Sequence, residues 1–144
     1  MGEFRFSLRT AIAALTTAIS IALVGVPTAY AATVTYQIVT NEIEAKQEDG
    51  TSVEAYRFDP AIYPVQQGDE VVLQIRGLKG HDHPIEIEGY NIKDVVRRNA
   101  VTSIRFKASK PGVYRVICTA HADAKHNGPM EGYLVVIPSA KKPR

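Results

Sequence analysis

The stretch that most restricts the fold is Tyr114 to Val136, YRVICTAHADAKHNGPMEGYLVV, which holds the only cysteine and two of the four histidines within nine consecutive residues. Cys118 closes an apolar run containing Val113, Tyr114, Val116 and Ile117. His121 and His126 follow in the spacing CxxHxxxxH, and Tyr133 to Val136 opens a second strand-like run. A loop this short between two strands keeps its side chains close together. Thiolate is a soft ligand and imidazole a borderline one, so the pair suits copper, zinc or iron. Calcium and magnesium need oxygen cages that this loop does not offer. The other two histidines, His81 and His83, form a second cluster in GHDHPIEIEGYNI. One thiolate with two or three imidazoles is the set from which blue-copper and related electron-transfer sites are built.

The rest of the chain after residue 31 reads as β. Val34, Tyr36 and Ile38 alternate with Thr35, Gln37 and Val39, Val71, Leu73 and Ile75 with Val72 and Gln74, Ile85 and Ile87 with Glu86 and Glu88, and Ile104 and Phe106 with Arg105 and Lys107. Turn signals separate these runs at Asp49-Gly50, Gln67-Gly68-Asp69, Gly77 to Gly80, Lys110-Pro111-Gly112 and Asn127-Gly128-Pro129. Short strands with regular punctuation predict an all-β fold, a Greek-key β-sandwich or barrel. Asn41 to Ser52 is polar and is read as an open loop or a turn of helix.

Residues 1 to 31 are expected to be a cleaved secretory signal peptide. Arg5 and Arg9 precede a mostly apolar or small run from Thr10 to Val26, and Ala29-Tyr30-Ala31 has the small-x-small pattern of a cleavage site. The apolar run is short for a span of about 20 residues, which argues against an uncleaved anchor. Removing it leaves residues 32 to 144, one domain's worth of chain. The leader carries Arg5, Arg9 and Glu3, so the formal charge falls from +2 to +1. A nucleic-acid binder would need a concentrated basic face, and the only basic cluster in the sequence is the tail Lys141-Lys142-Pro143-Arg144, read as a solvated end. A lone cysteine cannot form an internal disulfide, and in an oxidising compartment it is a liability unless buried or bound to metal. The expected location is periplasmic or extracellular, with no stable membrane insertion after cleavage, and a homo-oligomer is compatible with the sequence.

The segments QGD, HPIEIEGYNI, SIRFKASKPGVYRVIC and PMEGYLVV together resemble the cupredoxin family over most of the chain after the leader. The features shared are a histidine before a central strand, a KPGxYxxxC strand and a histidine-containing loop followed by GxLxV. Within that family the loop is most similar to the nitrosocyanin type, mononuclear red copper proteins with the same CxxHxxxxH spacing. That type has a glutamate ligand where this chain places His83, so the resemblance implies three imidazoles and one thiolate here, with altered colour and potential. The related two-copper loop of cytochrome oxidase subunit II needs a second cysteine four residues after the first; Ala122 stands there.

The resemblance implies one copper ion, cycling between Cu(I) and Cu(II), held by His83, Cys118, His121 and His126. Met130 is a candidate long axial ligand unless the Gly128-Pro129 turn carries it past the metal. Against these stand plainer roles: Cys118 as a small core residue, His121 as an exposed loop residue, His81 as a surface residue, and Glu86 and Glu88 as the solvent face of a strand or as acceptors for an imidazole N–H. No nucleophile is poised on a helix N-terminus, and no GxGxxG is present. The function expected is one-electron transfer with redox partners such as cytochromes or an oxidoreductase. Its rivals are a small copper enzyme or nitric oxide binder, a copper storage or delivery protein, and a structural Cys/His3 zinc site.

Overall fold

The computed structural model describes residues 31 to 139. The expected leader therefore lies outside the described residues, apart from Ala31. Among the described residues nine strands form two sheets: β1 (Thr33–Lys46), β2 (Ser52–Asp59), β3 (Ile62–Gln66), β4 (Glu70–Gly77), β5 (His83–Ile87), β6 (Ile92–Val96), β7 (Val101–Lys107), β8 (Gly112–Cys118) and β9 (Glu131–Ile137). The first sheet has the order β2-β1-β4-β7 and the second β3-β9-β8-β5-β6. Within them β1 runs parallel to β4 and β3 parallel to β9, and the other pairings are antiparallel.

The alternations seen in the sequence become inner faces. Ile38, Leu73, Ile75 and Ile104 of the first sheet and Tyr63, Ile85, Val116 and Leu134 of the second are all buried in one core cluster. Removing one such side chain, as in Leu73→Ala, costs about 2–5 kcal/mol, so the ligand loop stands on a packed core. Among the described residues no helix is long and apolar enough to cross a membrane.

Asn41 to Ser52 departs from the loop expected. β1 continues to Lys46 and pairs with β2 from Val39↔Asp59 to Lys46↔Ser52, so the segment is an antiparallel hairpin. The turn between them is closed by Gln47 N–H donating to Thr51 O at 2.8 Å and Gly50 N–H to Gln47 O at 3.0 Å, while Asp49 Oδ1 accepts from Thr51 N–H. Its outer half was unreadable as strand because β1 leaves β4 at Thr40↔Gly77. Beyond that point it has only one strand partner, and most residues from 41 to 46 are exposed.

Candidate metal centre

Two ligand candidates are set by strand period alone. On β5 the buried positions are His83, Ile85 and Ile87, and on β8 Val116 and Cys118 point to the same core face. Ile85 sits opposite Cys118 in the antiparallel register, so His83 lies on the diagonal, within reach of a ring. The separation from Cys118 Sγ to His83 Nδ1 is 3.8 Å. Directly after Cys118 the chain makes one 3-10 turn, Thr119–His121, which brings the residue three positions on, His121, back over Cys118. That places His121 Nδ1 3.4 Å from the same sulfur.

The loop is closed by backbone bonds. Cys118 N–H donates to Met130 O at 2.9 Å, Met130 N–H to His121 O at 2.8 Å, and Gly128 N–H to Asp123 O at 2.8 Å. Glycine is required at 128, because a Cβ there would lie 2.1 Å from the His121 carbonyl oxygen. Met130 is fully buried at the entrance to β9.

His83, Cys118 and His121 form a cluster whose ligand atoms all lie within 4.8 Å of one another. His126 stands outside it. A second 3-10 turn, Ala124–His126, begins at Asp123 and directs the imidazole outward, where Nδ1 lies 2.7 Å from Asp123 Oδ1 and the side chain is 62 % exposed. His81 is exposed. Glu86 pairs with Lys93 at 3.3 Å and Glu88 with Arg115 at 2.7 Å, as expected for the solvent side of a strand.

Burial biases all three groups toward their uncharged forms. Burial lowers the His83 pKa, although a bond to the Lys79 carbonyl pulls the other way. Burial lowers that of His121 too, and the neighbouring His83 and His126 add to the effect. Burial raises the Cys118 thiol, against backbone N–H groups of Ala120 and His121. The 3.3 Å contact from His83 Nε2 to Lys79 O assigns the ring proton to Nε2 and leaves the Nδ1 lone pair aimed at the sulfur. With metal–sulfur and metal–nitrogen bonds of about 2.3 and 2.0–2.1 Å, two ligands on one ion stand roughly 3.5–3.8 Å apart. The observed separations fit a shared transition metal.

Several participants carried no sequence signal. Tyr56 on β2 stacks on His121 with ring centroids 4.1 Å apart and planes 25° from parallel, and its ring also lies 5.6 Å from His83. Glu42 faces Tyr56 across the hairpin. Burial first, and then the Glu42 and Glu54 carboxylates, push the Tyr56 phenol pKa up. The hairpin is tied to the ligand loop by Tyr56 N–H to Asn127 O at 2.8 Å and Arg57 to Pro129 O at 2.8 Å. These contacts depend on β1–β2 pairing, which the polar sequence there concealed.

Residues 16–136 match the profile of the cupredoxin-like domain. The chain belongs to that family. This cupredoxin is also 33% identical over 82 residues to cytochrome c oxidase subunit 2 of Thermus thermophilus, covering 57% of the chain and 59% of that protein. A second form of that subunit from the same organism matches at 33% over 82 residues and 48% of its length. The chain thus spans about half the length of the curated relatives it matches. Among solved structures, a multicopper oxidase, mgLAC, superposes with TM-score 0.59 at 18% identity, over 77% of this chain and 40% of the other. Copper nitrite reductase from Nitrosomonas europaea gives 0.56 at 21%, over 74% and 42%, and blue copper oxidase from the same organism 0.59 at 15%, over 78% and 41%. At these identities the structural matches establish the shared sandwich.

Proposed function

We propose that this cupredoxin is an exported mononuclear copper protein that carries single electrons between redox partners such as cytochromes or an oxidoreductase. The observation that carries the reading is a buried sulfur flanked by two imidazole Nδ1 atoms at 3.4 and 3.8 Å, at the end of a stiff sandwich. His83, Cys118 and His121 would hold one copper ion, with Met130 or His126 as the fourth protein ligand. The ion would supply the Cu(I)/Cu(II) couple. The protein's part is to fix three donors: the Lys79 carbonyl orients His83, Tyr56 backs His121, and the Met130 carbonyl anchors the Cys118 backbone. Donors held in this way change position little between oxidation states, which keeps the reorganisation cost of transfer small.

Adding Cu(II) to metal-free protein is expected to give a strong thiolate-to-copper absorption that Cys118→Ser abolishes. A colourless complex overturns the proposal, and retention of zinc by protein purified without added copper would replace it with a structural zinc site.

A second reading is favoured by the position of His126. With that ring turned outward to Asp123, three donors converge among the described residues, and an ion held by them would have room for water, nitric oxide or another small molecule, in the manner of the nitrosocyanin type. A spectral change when small ligands are added to the oxidised protein supports it; no response supports the closed electron carrier. Storage or delivery of copper would show instead as fast exchange with a chelator.

A further inference from the structure

At the end of the sandwich away from the ligand loop, a carboxylate is buried with no cation paired to it among the described residues. Asp69 is 5% exposed. Its Oδ2 accepts the Gln66 N–H at 2.9 Å, and its Oδ1 accepts the Ala32 N–H at 3.0 Å. Among the described residues the ion pairs do not include Asp69, and the neighbouring Arg105 is engaged by Glu70. Ala32 is held from its other side as well, since its carbonyl accepts the Glu70 N–H at 2.8 Å. The parallel register of β1 with β4 starts at the next residue, Thr33↔Glu70. A buried carboxylate held only by neutral amides is less well compensated than one that also faces a positive charge.

We propose that Asp69 is a receptor for the chain's own processed amino terminus. The proposal rests on cleavage of the leader after Ala31. An endopeptidase adds water across the Ala31–Ala32 bond: the C–N bond breaks, Ala31 departs as a carboxylate, and the Ala32 nitrogen becomes an α-ammonium. That nitrogen is already at hydrogen-bond distance from Asp69 Oδ1, so processing converts an amide contact into a charge-assisted pair without moving the strand. The pair locks the residue that precedes β1 against the turn that precedes β4. In the unprocessed chain the same nitrogen is neutral and the lock is weaker, so the fold gains stability on the side of the membrane where the leader is removed. A carboxylate that merely closed the Gln66–Asp69 turn would be indifferent to the charge on Ala32.

The test starts from the full chain expressed with its leader, and the amino terminus of the exported product is read by mass spectrometry. That product is compared in denaturant with the same protein acetylated at the α-amine alone, which keeps the N–H and removes the charge. Acetylation is expected to raise the unfolding equilibrium constant about fivefold, the difference between a charged and a neutral hydrogen bond at a partly buried site. The effect is expected to vanish in Asp69→Asn. If that variant fails to fold, the acetylation experiment alone decides. Equal stability of the free and acetylated forms of a product that begins at Ala32 overturns the proposal and leaves the cleavage reading intact. A product that begins at another residue removes the cleavage reading and the proposal with it.

Discussion

Two turns of one loop treat their histidines in opposite ways. Thr119–His121 and Ala124–His126 are both single 3-10 turns that end in histidine. The first begins at Cys118, the last inward residue of β8, and its ring folds back over the sulfur onto Tyr56. The second begins at Asp123, whose carboxylate accepts from Lys125 N–H at 2.9 Å and engages the histidine ring from outside. The same kind of short turn therefore gives a core-facing donor in one case and a solvent-exposed ring hydrogen-bonded to a carboxylate in the other. What differs is the residue that starts the turn and the strand packed beside it. The spacing CxxHxxxxH contains neither piece of information.

The sharpest test of this contrast removes each ring in turn. His121→Ala is expected to weaken copper binding by more than about a hundredfold, because even residues that only orient a ligand are worth 10–100-fold. His126→Ala is expected to change it by less than about tenfold if the outward position persists when metal is bound. Competition with a chelator of known affinity measures both. Equal losses would show that the second turn swings inward on binding, breaking the Asp123 contact, and would restore the four-ligand set implied by the sequence resemblance.

Next in size is the loop closure that keeps the turns apart. Gly128→Ala drives a methyl group into the His121 carbonyl, 2.1 Å from where the Cβ would stand. Overpacking of this kind costs about 1–3 kcal/mol. Chemical denaturation of the metal-free variant should show that loss, and the thiolate-to-copper absorption of the loaded variant should move, since the displaced carbonyl belongs to a proposed ligand. Wild-type stability and spectrum together would mean that the loop relaxes freely and that the closure positions nothing.

A smaller effect follows from protonation. Burial holds His83 and His121 below the ordinary histidine value, so the unfolded chain binds more protons than the folded one as pH falls. The stability of the metal-free protein is then fully present above about 6.5 and is lost as pH drops through the lowered folded values. Cys118 is shifted in the other direction, so stability also declines as pH rises through the ordinary thiol range. His83→Gln should flatten the acid side and Cys118→Ser the alkaline side. Denaturant midpoints measured across pH would reveal a profile that neither substitution alters, and such a profile would contradict the burial argument.

The sequence made the fold legible where alternation and turn residues agreed. Val71, Leu73 and Ile75 read as a strand because each second residue is buried against the opposite sheet, and His83 and Cys118 fall on the inward phase of their strands. Tyr56 was not legible. Its approach to His121 depends on a hairpin whose outer half has one neighbouring strand and little apolar face, so period-2 burial, the signal that reveals strands, is nearly absent there. The same reason hid Glu42. The orientation of His126 was hidden differently: a carboxylate three residues upstream competes for the ring, and short-range spacing does not record which partner wins.

The mildest perturbation concerns the stacking that separates the two histidines. Tyr56 also fills the space above Gly80, where a Cβ would lie 2.9 Å from the ring, so its ring is wedged between the turn before His83 and the imidazole of His121. Tyr56→Leu removes the flat surface and is expected to lower copper affinity about tenfold, with a shift in the thiolate-to-copper absorption because the His121 ring is freed to turn. Tyr56→Phe keeps the surface and loses only the hydroxyl beside Glu42, so it should restore the wild-type absorption. A variant series in which Leu and Phe behave alike would assign the effect to the hydroxyl and its carboxylate neighbour. The difference between His121 and His126 would then rest on the starting residues of their turns alone.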